Sequence, residues 1–189
     1  MPPVSTTDTP RICVYCASNF GQDPAFEQSA RTVGEVLATR GIDLVYGGGH
    51  VGLMGVVADT ALRGGRHVIG VIPQNLVDAE VGHSGVSELF VVEDMPARKR
   101  IMYERADAFL TLPGGVGTME EMFEVLCWRY LGLHPKPIGL LNVNGYYDRL
   151  IEFLAESVEL GLTRQAAVDF LLVDDDPERL VERLVPQRV

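Results

Sequence analysis

Short, continuously apolar runs alternate along the chain with stretches whose apolar positions recur every three or four residues, the patterns of buried strands and of helices. Residues 11–17 (RICVYCA) form the first predicted strand. Asp23 and Pro24 then supply an N-cap and a first-turn proline for a helix ending near Gly41. Residues 42–46 are a second strand, running into GGGHVGLMG and a helix that stops at Gly64 and Gly65. Residues 67–72 are a third, a polar loop occupies 73–85, and 89–92 form a short fourth strand, after which Asp94 caps a helix to about Ala106. Residues 108–112 (AFLTL) are a fifth strand, followed by PGGVGT and a helix to about Leu131. Residues 137–141 are a sixth, followed by a helix over 146–160. A short helix near 164–170, a brief LLV strand and a helix capped by Asp176 and Pro177 close the chain.

Strands without hydrophobic alternation, joined by helix-length crossovers, predict a parallel sheet covered on both faces. The expected fold is a single Rossmann-like, doubly wound α/β domain over 11–189, preceded by a disordered tail over 1–10. In such sheets ligands bind beyond the carboxyl ends of the strands. Cys13 and Cys16 lie three apart on the first strand and face opposite sides, so they read as packing residues. An odd count of three cysteines and the lack of a signal-peptide pattern suit a reducing, cytoplasmic setting.

Charge narrows the partners. The chain of 189 residues carries a net charge of −10, which opposes nucleic acid and anionic membranes alike. No apolar stretch is long enough for a membrane span. The four histidines never fall at i, i+4 spacing, so no metal site is expected.

Glycine usage points to chemistry. Of 20 glycines, five lie in 47–55 and three in 114–117, both loops that follow strands on the same rim of the sheet. PGGVGTMEE (113–121) joins a strand, a glycine turn and a helix start, where unpaired amides and the helix dipole suit an anion. Residues 47–52 match GxGxxG, but the next strand ends Val71-Ile72-Pro73 without the carboxylate that a dinucleotide ribose requires. A Walker A loop is excluded because neither Lys99 nor Lys136 follows a glycine.

Two features stay open at this level. Thr118 and Glu121 read either as a capping box or as a threonine and an ionised carboxylate projecting into the ligand loop. In the second case Glu121, more than its neighbour Glu120, would stabilise an oxocarbenium-like transition state or position water. Arg98-Lys99-Arg100 reads either as a solvated charged face or as the source of one packed arginine, Arg98, pre-organised for a phosphate or a base edge.

YGGGHVGLMG (46–55), the Met95, Arg98, Lys99 pattern and PGGVGTMEE (113–121) together resemble the LONELY GUY (LOG) family, and the likeness extends from RICVYCAS to the helix after LLNVNGYYD. The resemblance implies a Rossmann-like homodimer without a cofactor. It also implies hydrolysis of the N-glycosidic bond of cytokinin riboside 5′-monophosphates, and of AMP, to free base and ribose 5-phosphate. Carried onto this sequence, Arg98 and Glu121 become the catalytic pair, and Gly114, Gly115, Val116, Gly117 and Thr118 hold the 5′-phosphate. Ser18, Gly48, Gly49, Glu80, Met95, Lys99 and Glu120 complete the substrate site. The turn at Ser18 reads CAS where the family commonly has CGS, and Cys127 stands where plant members tend to carry threonine. The alternative on the same fold is a non-catalytic carrier of nucleotide or molybdenum cofactor. The label "lysine decarboxylase", also attached to the family, conflicts with the sequence, because neither Lys99 nor Lys136 has a setting suited to a pyridoxal Schiff base.

Overall fold

The computed structural model describes residues 9–77 and 82–185. Seven parallel strands form one sheet: β1 (Arg11–Tyr15), β2 (Asp43–Tyr46), β3 (Val68–Pro73), β4 (Glu88–Val92), β5 (Ala108–Thr111), β6 (Ile138–Leu141) and β7 (Leu171–Asp174). The helices are α1 (Pro24–Thr39), α2 (Gly52–Arg63), α3 (Met95–Arg105), α4 (Val116–Tyr130), α5 (Asp148–Glu159), α6 (Gln165–Val168) and α7 (Pro177–Leu184). The expected single α/β domain with a doubly wound parallel sheet is what forms; most boundaries shift by one or two residues, but α2 and α4 begin three or four residues earlier, inside the glycine loops.

Side-chain alternation along β1 divides the core. Ile12, Val14 and Cys16 pack with α1, α2 and α7, whereas Cys13 and Tyr15 pack with α3, α4 and α5. The cysteines therefore occupy opposite faces as expected, and all three are thiols. Burial pushes the Cys13 thiol up strongly, and the charge of Glu121 adds to the effect.

Helix starts follow the sequence signals at three places. Asp23 accepts from the Ala25 amide at 2.9 Å, Asp94 from Ala97 at 2.8 Å and Asp176 from Arg179 at 2.9 Å, each with a proline at the first or second helical position. The capping-box reading of Thr118 and Glu121 is overturned. Helix α4 begins at Val116 with Gly115 as its N-cap and no side-chain cap, so Thr118 and Glu121 lie inside the helix.

The strand order is β4-β3-β2-β1-β5-β6-β7. The chain winds outward from β1 to β4, then returns to the other side of β1 at β5. Loops leaving β1 and β5 consequently diverge to opposite faces and leave a crevice at the carboxyl edge of the sheet.

Candidate active site at the switch point

A cleft of about 280 Å³ opens at that crevice, lined by residues 14–19 at the end of β1 and just after it, Gly47 and Met54 around the β2–α2 loop, Met95 and Arg98 of α3, and Gly115 with Val116, Gly117, Thr118 and Glu121 at the start of α4. Among the described residues Arg98, Thr118 and Glu121 are buried polar groups, each less than a tenth exposed. Burial of ionic side chains is costly unless partners hold them, so their concentration beside one cleft is a chemical signature.

Arg98 is held by the backbone. Its Nε donates to the Val71 carbonyl at 3.1 Å and one terminal nitrogen donates to the Gly47 carbonyl at 3.0 Å. The guanidinium thus braces the end of β3 against the first glycine of the 47–52 loop. A Cβ on residue 47 would stand 2.0 Å from that guanidinium, which explains why the position is glycine. The packed-arginine reading of the charge run is the one realised.

The turn before α4 turns its carbonyls toward the protein. Pro113 O accepts from the Ala17 amide at 3.2 Å and Gly115 O from the Met119 amide at 3.0 Å. The first amides of α4 have no intrahelical acceptor and no side-chain cap, and the residues that carry them line the cleft. A Cβ on Gly114 would collide with Thr118 Oγ1 at 2.1 Å, so that glycine serves packing. A Cβ on Gly115 or Gly117 would meet no protein atom within 4 Å. Glycine at those two positions keeps room for something outside the chain, as an anion cradle does.

Of the sequence-predicted residues, Ser18, Met95, Arg98, Gly115, Val116, Gly117, Thr118 and Glu121 converge on the cleft. Gly114, Gly48 and Gly49 are not among the residues that line it. The Gly48 carbonyl accepts from the His83 amide and Gly49 bridges to Gly82, so both tie the loop to residues 82 and 83. Glu80 lies outside the described residues. Lys99 is not a cleft residue: it bridges Glu120 and Glu124 of α4, the latter at 2.8 Å. Partial burial works against its charge, but the two carboxylates outweigh that and raise its pKa. Cys127 faces a separate apolar depression with Phe123, Leu126 and Leu162. The sequence reading did not assign Ala17, Asn19, Gly47 and Met54 to the site, although Gly47 and Met54 lie in the quoted 46–55 motif and Ala17 in the CAS turn.

Histidine spacing gave no sign of one further group. His50 and His83 stack with ring centroids 4.0 Å apart, and both reach Asp59, at 3.5 and 3.0 Å. The Gly85 amide donates to His83 Nδ1 at 3.2 Å, so Nε2 carries the proton and points it at Asp59. Asp59 belongs to α2 and the two histidines to the loops beside it, and the three side chains bring one potential ligand atom each within 4.8 Å of one another, a grouping that the expectation of no metal site did not foresee.

The fold and site together define an α/β protein whose topological switch point holds a glycine-rich, uncapped helix start beside buried Arg98 and Glu121. Comparison with known proteins carries this further. A family model described as "Possible lysine decarboxylase" matches residues 54–184. A probable cytokinin riboside 5′-monophosphate phosphoribohydrolase of Oryza sativa subsp. japonica, LOGL2, is 47% identical over 92% of this chain and 71% of its own. The cytokinin riboside 5′-monophosphate phosphoribohydrolase LOG7 of Arabidopsis thaliana is 46% identical over 92% of this chain and 80% of its own. Among solved structures, the molybdenum cofactor binding protein of Rippkaea orientalis superposes with a TM-score of 0.70 at 22% identity, covering 95% of this chain and 96% of its own, a likeness of fold. The chain belongs to the LOG family of phosphoribohydrolases. The family model's description does not fit the lysines present. Lys99 is engaged by α4, and Lys136 stands 4.0 Å from the centre of the Tyr103 ring while donating to the Tyr103 carbonyl, so neither lines the cleft.

Proposed function

We propose that this chain hydrolyses the N-glycosidic bond of nucleoside 5′-monophosphates, cytokinin riboside 5′-monophosphates and AMP among them, to free base and ribose 5-phosphate. The observation that carries the reading is the buried carboxylate of Glu121 lining one cleft with the buried Arg98 and the uncapped amides of α4. The 5′-phosphate lies on the amides of 115–118 and fixes the ribose. The Glu121 carboxylate faces the anomeric carbon and stabilises the positive charge that develops as the bond to the base lengthens. Water adds to that carbon, and the base leaves with the bonding pair and takes up a proton. Arg98 orients the nucleotide from the opposite wall.

Phosphate binding energy is used here to place the reacting carbon, so a riboside lacking the phosphate reacts far more slowly than its monophosphate. Incubating the protein with N6-isopentenyl-AMP and with its riboside, and measuring released base, tests this. Fast release from the monophosphate alone is the expected result; equal turnover of the two, or no release from either, overturns the proposal. A carrier on the same fold has no evident use for a carboxylate buried in its cleft. AMP binding without ribose 5-phosphate formation would favour the carrier.

A further inference from the structure

The segment Asn142–Asp148 (NVNGYYD) contributes nothing to the cleft wall, yet it is elaborately held. After β6 the chain makes a single turn of 3-10 helix over Val143–Gly145, with Asn144 in the left-handed region at φ 50°. The Asn142 side chain accepts from the Tyr147 amide at 2.8 Å and donates to Asp148 at 2.7 Å. Asn144 donates to Asp23 at 3.0 Å. The outcome is a rigid platform carrying two adjacent tyrosines, whose rings meet edge to face at 4.8 Å, with Phe26 edge-on to Tyr146 at 5.2 Å.

Both hydroxyls reach the turn before α4. Tyr147 donates to the Leu112 carbonyl at 2.7 Å and Tyr146 to the Gly114 carbonyl at 2.8 Å. With the bonds already described, every carbonyl from 112 to 115 accepts from a protein donor. In a trans peptide the carbonyl and the following amide point in opposite directions. Fixing the Gly114 carbonyl on Tyr146 therefore sets the Gly115 amide on the other side, and Gly115 lines the cleft whereas Gly114 does not. A peptide between two glycines is the one most easily turned over, because both neighbours tolerate the dihedrals of the flipped form. Turned over, it would present an oxygen to the anion in place of a donor.

We propose that Tyr146 is a positioning residue that locks the turn before α4 with the Gly115 amide toward the 5′-phosphate, while Tyr147 holds the Leu112 carbonyl at the end of the strand that precedes it. Tyr146 is the more telling of the two. The residue is 45% exposed, so burial does little to account for it, and its directed contact with the turn is the hydroxyl bond. The inference rests on the phosphate-anchor reading above, and binding of ribose 5-phosphate separates the two.

The test compares wild type with Tyr146→Phe and Tyr147→Phe, which keep the rings and remove one hydroxyl each. Ribose 5-phosphate affinity is measured by calorimetry, KM and kcat with N6-isopentenyl-AMP and its riboside, and stability by thermal melting. Tyr146→Phe is expected to weaken ribose 5-phosphate binding about tenfold, with a matching rise in KM and fall in monophosphate-over-riboside selectivity. A purely structural role lowers the melting temperature without moving affinity or selectivity. Unchanged affinity and selectivity in Tyr146→Phe would overturn the proposal. Should wild type bind ribose 5-phosphate yet release no base, the hydrolase reading fails, and the tyrosines are judged on affinity alone. Failure of wild type to bind ribose 5-phosphate or AMP sinks both.

Discussion

Glu121 sits on the second turn of a helix whose first turn carries no side-chain cap, a position where its charge serves neither capping nor surface solvation. Glu121→Gln preserves shape and removes the charge. Base release from N6-isopentenyl-AMP should fall by at least about 100-fold while ribose 5-phosphate still binds, because the lost interaction belongs to the transition state. Full activity would return the residue to a packing role. The glycines of the same turn divide by a simpler test. Gly114→Ala forces a Cβ against Thr118 and should cost about 1–3 kcal/mol in denaturant unfolding. Gly115→Ala enters open space at φ −95° and should leave stability nearly unchanged while weakening AMP binding. A large loss of stability in Gly115→Ala would remove the argument that its missing side chain makes room for a ligand. The sequence names all these residues but cannot rank them, since a T-x-x-E spacing is the same string whether the helix starts at Thr118 or two residues before it.

At the scale of elements, the termini of α1, α3 and α7 were legible because their caps are local: an aspartate and a proline a few residues apart suffice. The start of α7 carries a measurable consequence. Asp174, at the end of β7, accepts from the Asp176 amide at 3.0 Å and from Arg179 and Arg183 at 2.7 and 3.3 Å, which lowers its pKa from 3.8 to about 2. The folded value lies below the unfolded one, so this group stabilises the fold above about pH 4, and that contribution disappears as pH falls through about 2. Asp174→Asn should therefore cost about 1–2 kcal/mol at neutral pH, reduced from the full linkage value because both arginines are largely exposed. Unfolding followed from pH 7 to 2 should show the two proteins converging in acid; a constant difference would assign the bonds no ionic part. The bridge from Lys99 to Glu120 and Glu124 was hidden from sequence, because it joins α3 to α4 across 21 and 25 positions.

For the whole molecule, the order of strands decides where chemistry occurs. The reversal between β1 and β5 opens the crevice, and the glycine loops and buried ionic residues meet there. The homodimer implied by the family resemblance predicts a particle of twice 20.7 kDa by light scattering. A mass of one chain at micromolar concentration would exclude it. Among the described residues no helix is long and apolar enough to cross a membrane, in line with the absence of a long apolar run.

The sequence by itself determined the α/β class, the strand and helix order, three of the helix caps and the two glycine loops, because each follows from periodicity or from contacts between near neighbours. Tertiary structure alone decided that Arg98 is braced by Val71 and Gly47, that Lys99 turns away from the cleft, and that Tyr146 and Tyr147 grip the turn before α4. These contacts join residues 21 to 51 positions apart. They depend on how helices pack across a sheet, and no local pattern in the chain encodes that packing.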